Sequence, residues 1–413
     1  MLYKVISLFN KPVVLDALVS FLFLALYAWM VLNVSKRWRA MPEFSSIGTP
    51  QSRSPSTTVS IIVPYRNEEQ NILRCLTQLS KQNYPAHLFE IIPVDDHSTD
   101  ASCVLVKQFS ERHTSFAIKS LSLVSDVLSD GTKEGKKAAL TLGISKSASE
   151  LILTIDADCS MGENMLSELV AFYEQFSPEQ SRPKMIMGPV SVEKYITERF
   201  PVENAKSPLH DLQDMEFTCL TAFSAAYCSM GKPFLCNGAN LAYQRAAFIE
   251  AAGFSGNMHL SSGDDIFLLK KFNNLFPGQI RFLKSSGVVV HTIPQKTAFD
   301  FLQQRMRWAS KSFADNNRIS RWVALRVVTI SGLLLVNLLL SIFYGKFAAV
   351  FACVFFLKCI VDYRLLINVS GFFKKRFGLK QVLANALLYP LYSLFILFLS
   401  MRNKYEWKGR QTR

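Results

Sequence analysis

Leu151 to Ile155 is an apolar run that stops abruptly at Asp156-Ala157-Asp158. A buried strand is thereby predicted to deliver two carboxylates, one residue apart, to a sheet edge. Carboxylates are costly to leave unpaired there, and hard cations such as Mg²⁺ and Mn²⁺ take oxygen ligands, so a divalent ion carrying a phosphate is their natural partner. Alone, an Asp-x-Asp reads as an ordinary acidic turn after a strand; its surroundings give it weight. Val59 to Val63 is a β-rich run closed by Pro64, Glu69 to Ser80 has helical spacing of Ile72, Leu73, Leu76 and Leu79, and Glu90 to Val94 is a second β-run ending in Asp95-Asp96. Strand, helix, strand in this order predicts an α/β fold with a parallel, Rossmann-like sheet and its ligand at the carboxyl ends of the strands. Asp95, Asp96, Asp156 and Asp158 all fall at such ends.

The chain has 413 residues, 49% of them hydrophobic, and a mean hydropathy of +0.17, high for a purely soluble protein. The apolar excess lies at the two ends. Val13 to Val34 is nearly all apolar apart from Asp16 and can cross a hydrocarbon core of about 30 Å. Lys36, Arg37 and Arg39 follow at once, which places residue 40 onward in the cytoplasm. The length of the run, the basic cluster after it and the lack of a clear small-x-small cleavage site favour a retained anchor over a signal peptide. Val327 to Phe343, Phe347 to Val361 and Val382 to Met401 are three further apolar runs, the middle one short and ending in Asp362 and Arg364. Alternation would leave the tail outside, yet Arg402, Lys404, Lys408, Arg410 and Arg413 make it strongly basic. Either the last run, interrupted by Pro390, is re-entrant or interfacial, or the charge rule is overridden.

The net charge of +14 gathers beside these runs, at Lys36 to Arg39, Arg318 and Arg321, Lys374 to Arg376 and the tail, a membrane-surface distribution. No basic stripe with interleaved aromatics marks the soluble region, so nucleic acid is not the expected partner. The eight cysteines show no zinc spacing and read as reduced cytoplasmic thiols. Met41 to Thr58, rich in Ser, Pro and Thr, reads as a linker. Lys184 to Val190 and Gln279 to Val290 supply further strand-like runs, and Glu216 to Met230 reads as a buried or surface-hugging helix. Lys136 or Lys137, after Gly135 at a helix start, could reach a diphosphate; a solvated lysine pair is an equal explanation.

Five motifs follow one another: Pro64-Tyr65-Arg66-Asn67-Glu68-Glu69, Val94-Asp95-Asp96-His97-Ser98-Thr99-Asp100, Asp156-Ala157-Asp158, Gly263-Asp264-Asp265 and Gln304-Arg305-Met306-Arg307-Trp308. In this order and spacing, Val59 to Trp308 resembles the catalytic domain of the membrane-bound family 2 glycosyltransferases, the inverting group that includes cellulose, hyaluronan and ceramide glucosyl transferases. The resemblance implies a GT-A domain, a nucleotide-sugar donor and Mg²⁺ or Mn²⁺. It puts Pro64, Tyr65, Asn67, Glu68, Asp95 and Asp96 at the uridine end of the donor, with Lys136 and Asp156 nearby. Acidic residues at Asn67-Glu68-Glu69 also suit a helix N-terminus. Asp158 is expected to ligate the metal, with Asp156 contacting metal or ribose. Asp265 aligns with the family's catalytic aspartate and is the expected general base; Asp264 stands where glutamate is common, which leaves either carboxylate open as the base. A helix cap would equally explain Gly-Asp-Asp.

Gln304, Arg305, Arg307 and Trp308 are assigned by the same resemblance to the diphosphate and acceptor end, since Arg binds diphosphate in a bidentate way and Trp stacks on sugar faces. An amphipathic interfacial helix anchored at the headgroups fits the same residues. Asn237 and Asn240, in Leu235-Cys236-Asn237-Gly238-Ala239-Asn240, match an acceptor-side segment or simply a turn, and Trp407-Lys408-Gly409-Arg410 resembles a C-terminal motif of some relatives.

The expected organisation is an anchor (1–40), linker (41–58), GT-A domain (59–300), interfacial helix (301–321), C-terminal membrane segments (322–401) and a basic tail (402–413). The expected activity is an inverting hexosyltransferase of the cell membrane, multi-pass with its catalytic domain cytoplasmic. It would move a sugar from a uridine diphosphate sugar to a lipid, lipid-linked or polysaccharide acceptor, alone or with a synthase partner subunit. The alternatives are a catalytically silent nucleotide-binding subunit of a polysaccharide-synthesis complex, and a metal-dependent nucleotidyl or phosphohydrolase enzyme.

Overall fold

The computed structural model describes residues 2–46, 55–124, 134–176, 182–193, 207–258, 263–314, 317–400, 405–407 and 410–412. Along these the chain runs α1 (Leu2–Ala40), β1 (Val59–Tyr65), α2 (Ile72–Ser80), β2 (Phe89–Asp95), α3 (Ser102–Arg112), β3 (Ala117–Ile118), β4 (Leu121–Ser122) and α4 (Lys136–Ser145). Then come β5 (Leu151–Thr154), β6 (Ser160–Met161), α5 (Met165–Glu174), β7 (Met185–Met187), β8 (Val190–Val192), α6 (Pro208–Ser229), β9 (Leu241–Gln244) and α7 (Arg245–Glu250). The remainder is α8 (Asp264–Leu275), β10 (Ile280–Phe282), β11 (Val290–Thr292), α9 (Ala298–Ala314), α10 (Arg318–Phe343), α11 (Lys346–Ser370), α12 (Leu379–Ser400), β12 (Tyr405–Trp407) and β13 (Arg410–Thr412).

The main sheet has the order β10-β7-β9-β5-β1-β2-β3, with β4 also paired to β2. β1 lies parallel to both β2 and β5, with Tyr65 opposite Asp95 and Ile62 opposite Thr154. The carboxyl ends of three strands therefore share one edge, where a doubly wound sheet holds its ligand. β9 runs antiparallel to β5 and β7, so the sheet is mixed. Side chains of β1 alternate between two cores: Ile62 joins one, Ile61 and Val63 the other. Burial on both faces explains why the strand reads as a continuous apolar run.

The run from Lys184 to Val190 divides between two sheets. Gly188 and Pro189 break it, β7 staying in the main sheet while β8 pairs with β11. A Cβ on Gly188 would strike the Asn240 amide at under 2.5 Å, so only glycine fits that crossing. In α2 the buried face is Ile72, Cys75, Leu76 and Leu79; Leu73 lies off it, 38% exposed.

Three helices are long and apolar enough to cross a membrane: Lys11–Ala40, Arg318–Phe343 and Leu379–Leu399. α11 does not stop at Val361 but continues through Asp362 and Arg364 to Ser370. The carboxylate is tolerated because Lys358, one turn earlier, pairs with it at 2.5 Å and the Tyr27 hydroxyl donates to it at 2.7 Å. Asn368 Nδ2 donates to Ser35 Oγ at 2.6 Å and Trp38 Nε1 donates to the Asn368 carbonyl, so α1 and α11 run in the same direction. α10 runs against α1, with Asn337 donating to Ser20 and Arg326 over the Trp29 ring. At its end α1 is clamped to the sheet: Lys284 Nζ donates to the carbonyls of Trp38 and Met41, and the Trp38 indole meets Phe282 and Phe372 edge-on.

Helix α6 joins the two halves. Thr221, Ser224 and Cys228 donate to the carbonyls of Val190, Leu235 and Ile280. On its other side Cys219, Phe223 and Tyr227 pack against the core that contains the membrane helices. That four-residue spacing is one stripe of a helix. Part of the linker, 47–54, lies outside the described residues, but Phe44 and Ser46 dock on Lys284 and Glu168.

Candidate active site

At the shared strand edge the loops after β1 and β2 are laced together. The Asn67 N–H donates to Ser98 Oγ, Thr99 N–H to Asn67 Oδ1, Ala101 N–H to Glu69 and Glu68 N–H to Ser102 Oγ. Asn67 adopts φ 52° to do so, a conformation asparagine tolerates better than most residues. Asp95 accepts from the Ser98 N–H and the Ser122 hydroxyl. Neither Asn67 nor Asp95 lines the cleft beside them; Pro64, Tyr65, Glu68 and Asp96 do.

That cleft, about 890 Å³, also exposes Asp156, Asp158, Lys136, Asn237, Asp264, Asp265, Gln304, Arg305, Arg307 and Trp308. Its volume matches that of a small-molecule site. Asn240 is elsewhere: 4% exposed, it donates its amide to the Pro189 and Val288 carbonyls and holds the two sheets together.

Lys136 Nζ sits 2.6 Å from Asp156 Oδ1 and 3.4 Å from Asp264 Oδ2. Burial works against its charge, but Asp156 and Asp264 more than offset this and hold the ammonium well above the usual lysine range. Lys137 turns away, donating to the Asn257 carbonyl at 2.6 Å and lying over the Phe267 ring. The lysine after Gly135 is thus the one in the cleft. Gly135 itself, at φ 97°, donates its N–H to Asp96 Oδ1 at 3.0 Å.

The Asp156–Asp158 loop is tied from behind. Arg74 donates to the Asp158 carbonyl at 2.8 Å, the Cys75 thiol to that of Asp156, and the Cys159 thiol to Asp158 Oδ1 at 3.4 Å. Burial, reinforced by the aspartates, pushes both thiols up and keeps them protonated. Among the described residues no three His, Cys, Asp or Glu side chains converge as a ready-made metal cage. Two aspartates in the cleft nevertheless suit a hard cation that takes its other oxygens from a diphosphate and water.

Asp264 and Asp265 open α8, where carboxylates are favoured by the helix dipole. Gly263 precedes them in the left-handed region, and a Cβ there would collide with Phe267. Asp264 is 8% exposed and shares Lys136. Asp265 accepts the Ile266 N–H and faces the cleft.

α9 closes the opposite wall. Arg305, 3% exposed, pairs with Glu216 of α6 through Nε at 2.7 Å and Nη2 at 2.6 Å. Its guanidinium lies 4.2 Å from the Trp308 ring and 4.5 Å from that of Phe301. Glu216 also accepts from the Tyr392 hydroxyl of α12 at 3.4 Å. Arg305 is therefore committed to protein, and Arg307 is the motif's other arginine at the cleft. Glu216 and Tyr392 were not anticipated; a carboxylate opening an otherwise apolar helical stretch is the sequence signal that a buried cation must meet it.

The family described as "Glycosyl transferase family 2" matches residues 60–217, and that described as "Glycosyl transferase family group 2" matches residues 151–397. The chain belongs to glycosyl transferase family group 2. As a member it is similar to glycosyltransferase AglE of Haloferax volcanii, 30% identical over 27% of this chain and 34% of that protein. It is also similar to an N-acetylglucosaminyltransferase of Rhizobium meliloti, 25% identical over 64% of this chain and 58% of that protein. The matches thus span from about a third to under two thirds of these relatives' lengths. The solved mannosyltransferase PcManGT from Pyrobaculum calidifontis, in complex with GDP-Man and Mn²⁺, has a TM-score of 0.55 at 18% identity, covering 95% of this chain and 97% of that one. That likeness is one of fold, and it spans the sheet and the terminal helices of this family member together.

Proposed function

We propose that the chain is a membrane-anchored inverting hexosyltransferase that moves a sugar from a nucleoside diphosphate sugar, a uridine diphosphate sugar in the first instance, to a lipid or lipid-linked acceptor at the cytoplasmic face. The observation that carries this reading is the make-up of one cleft. Asp96, Asp156, Asp158, Asp264, Asp265 and Lys136 form one wall, and α9 with Trp308 and α12 with Tyr392 and Ile396 form the other. A donor with a charged diphosphate suits the first wall and a lipid-borne hydroxyl the second.

In this reading the loops after β1 and β2 seat the nucleoside with Tyr65, Glu68 and Asp96, and Asp156 and Asp158 hold the divalent cation. The cation, when bound, neutralises charge that develops on the departing diphosphate. Lys136 and Arg307 add positive charge to the same end. Asp265 takes the proton from the acceptor hydroxyl. That oxygen bonds to the anomeric carbon from the face opposite the diphosphate, the old carbon–oxygen bond breaks, and the nucleoside diphosphate leaves. Asp264, already shared with Lys136, is the less suitable base of the two.

The test is transfer by the full-length chain in membranes from a panel of labelled UDP- and GDP-sugars into lipid extract, with Mn²⁺ or with chelator. Transfer from one donor, dependent on the ion and reduced at least about a thousandfold in Asp265→Asn, is expected. Nucleotide binding without transfer, in both forms and with every donor, would favour a silent subunit instead.

A further inference from the structure

We propose that Lys136 is an internal counter-ion that occupies the cation's electrostatic place until a nucleoside diphosphate arrives, so that it makes binding of the divalent ion and the nucleotide interdependent. The inference rests on the cleft being a metal and nucleotide site. Lys136 bridges Asp156, which with Asp158 is proposed to hold the cation, and Asp264, the first of the two carboxylates that open α8. Its side chain is only 21% exposed, so its charge is poorly screened.

A hard cation sits about 2.1–2.5 Å from its oxygen ligands. An ion on the Asp156 carboxylate would therefore lie within a few ångströms of an ammonium that is itself 2.6 Å from that carboxylate. Two positive centres so close repel strongly in a partly dry cleft. An incoming diphosphate removes the conflict, because the ammonium can exchange a carboxylate oxygen for a phosphate oxygen. The rest of the lysine's surroundings are fixed: the Gly135 N–H is bonded to Asp96, and Lys137 is bonded to the Asn257 carbonyl. Only the flexible four-carbon stem of Lys136 needs to move.

The same exchange withdraws a cation from Asp264 when the donor is loaded. Without nucleotide, Lys136 compensates both carboxylates and disfavours the free ion; with nucleotide, ion and diphosphate enter together.

The purified full-length chain would be titrated with Mn²⁺ alone, and then with UDP or GDP present, by the electron paramagnetic resonance signal of free aqueous Mn²⁺. Lys136→Met should bind Mn²⁺ without nucleotide about tenfold more tightly than the wild type, and the effect of nucleotide on Mn²⁺ affinity should shrink by a similar factor. Lys136→Arg, which keeps the charge, should behave as the wild type. Equal or weaker nucleotide-free binding by a folded Lys136→Met would overturn the proposal.

A second measurement needs no variant. Acetylation of Lys136 by acetic anhydride, followed by mass spectrometry, should speed up when Mn²⁺ alone is raised to saturation and slow again when UDP or GDP is added; an unchanged rate would overturn the proposal too. Should the wild type bind neither Mn²⁺ nor nucleotide, the reading of the cleft itself falls and the inference falls with it. Binding of both that ignores Lys136 overturns the inference alone.

Discussion

Gly238 shows how tightly the cleft is built around its charges. A Cβ added there would stand 3.0 Å from Asp264 Oδ2 and 3.4 Å from Lys136 Nζ. Its carbonyl accepts the Thr154 hydroxyl at 2.7 Å, which fixes the backbone against the end of β5. Gly238→Ala should therefore displace Asp264 and Lys136 while costing little stability, since no unusual φ is required at this position. The expected result is a fall in kcat/KM of about ten- to a hundredfold with a melting temperature within about 2 °C of wild type, checked by steady-state transfer and thermal unfolding. The glycine's closeness to Asp264 and Lys136 was not legible in the sequence, where it stood within a segment read as acceptor-side or as a turn. Asp156 and Asp158 were legible as cleft residues because they end a strand, and Asp264 and Asp265 through the resemblance of Gly263-Asp264-Asp265 to the family's acidic pair. Asn240 has its amide turned into the protein, and the exposed Asn67 has its Oδ1 taken by the Thr99 N–H of the neighbouring loop. Sequence shows which side chains can bond, and not which bonds neighbouring loops have already taken.

At the level of elements, the contact that organises the acceptor wall is the pairing of α6 and α9 through Glu216 and Arg305, which α12 joins through Tyr392. Glu216 is 13% and Arg305 3% exposed at the side chain, and removing one member of a buried pair leaves the other uncompensated at a cost of about 3–5 kcal/mol. Glu216→Gln should lower the melting temperature clearly and raise the KM for acceptor while leaving nucleotide affinity within about threefold. Adding Arg305→Gln should restore part of the stability, because the stranded charge is gone. A large loss of nucleotide affinity in Arg305→Gln alone, measured by calorimetry, would instead mean that this arginine holds the diphosphate. The helical nature of the Gln304 to Trp308 segment follows from its sequence, but the division of labour between its arginines does not. Residues two apart on a helix point about 200° apart; both arginines border the cleft, but Arg305 turns its guanidinium to Glu216 of α6. Recognising this from sequence requires knowing which face of α9 is covered, and Glu216, eighty-nine positions away, decides that.

For the whole molecule, the helix directions bear on the conflict between the basic tail and simple alternation of membrane segments. α1 ends, α10 begins and α11 ends on the side of the sheet, where Lys36, Arg37, Arg39, Arg318, Arg321 and Lys374 to Arg376 also lie along the sequence. α12 leaves that side with Gln381 bonded to Asp211 and Asn385 to Met215, both on α6. Farther on, Tyr392 still meets Glu216 and Phe301, and Ile396 still lines the cleft. Beyond it the strand β12 lies beside α9, paired with β13. Of the basic tail residues, Arg402, Lys404, Lys408 and Arg413 lie outside the described residues; Arg410 belongs to β13. α12 packs against α10 as well as against α9 and α6, and the hairpin that follows it lies at α9, an arrangement that fits a segment resting on the membrane face. The tail would then lie on the same side as the cleft, beside the other basic clusters. An epitope placed after Arg413 should accordingly resist protease in sealed right-side-out vesicles and be cleaved once they are permeabilised. Cleavage in sealed vesicles, with an epitope inserted after residue 176 still protected, would put α12 across the bilayer and detach the tail from the side of the cleft.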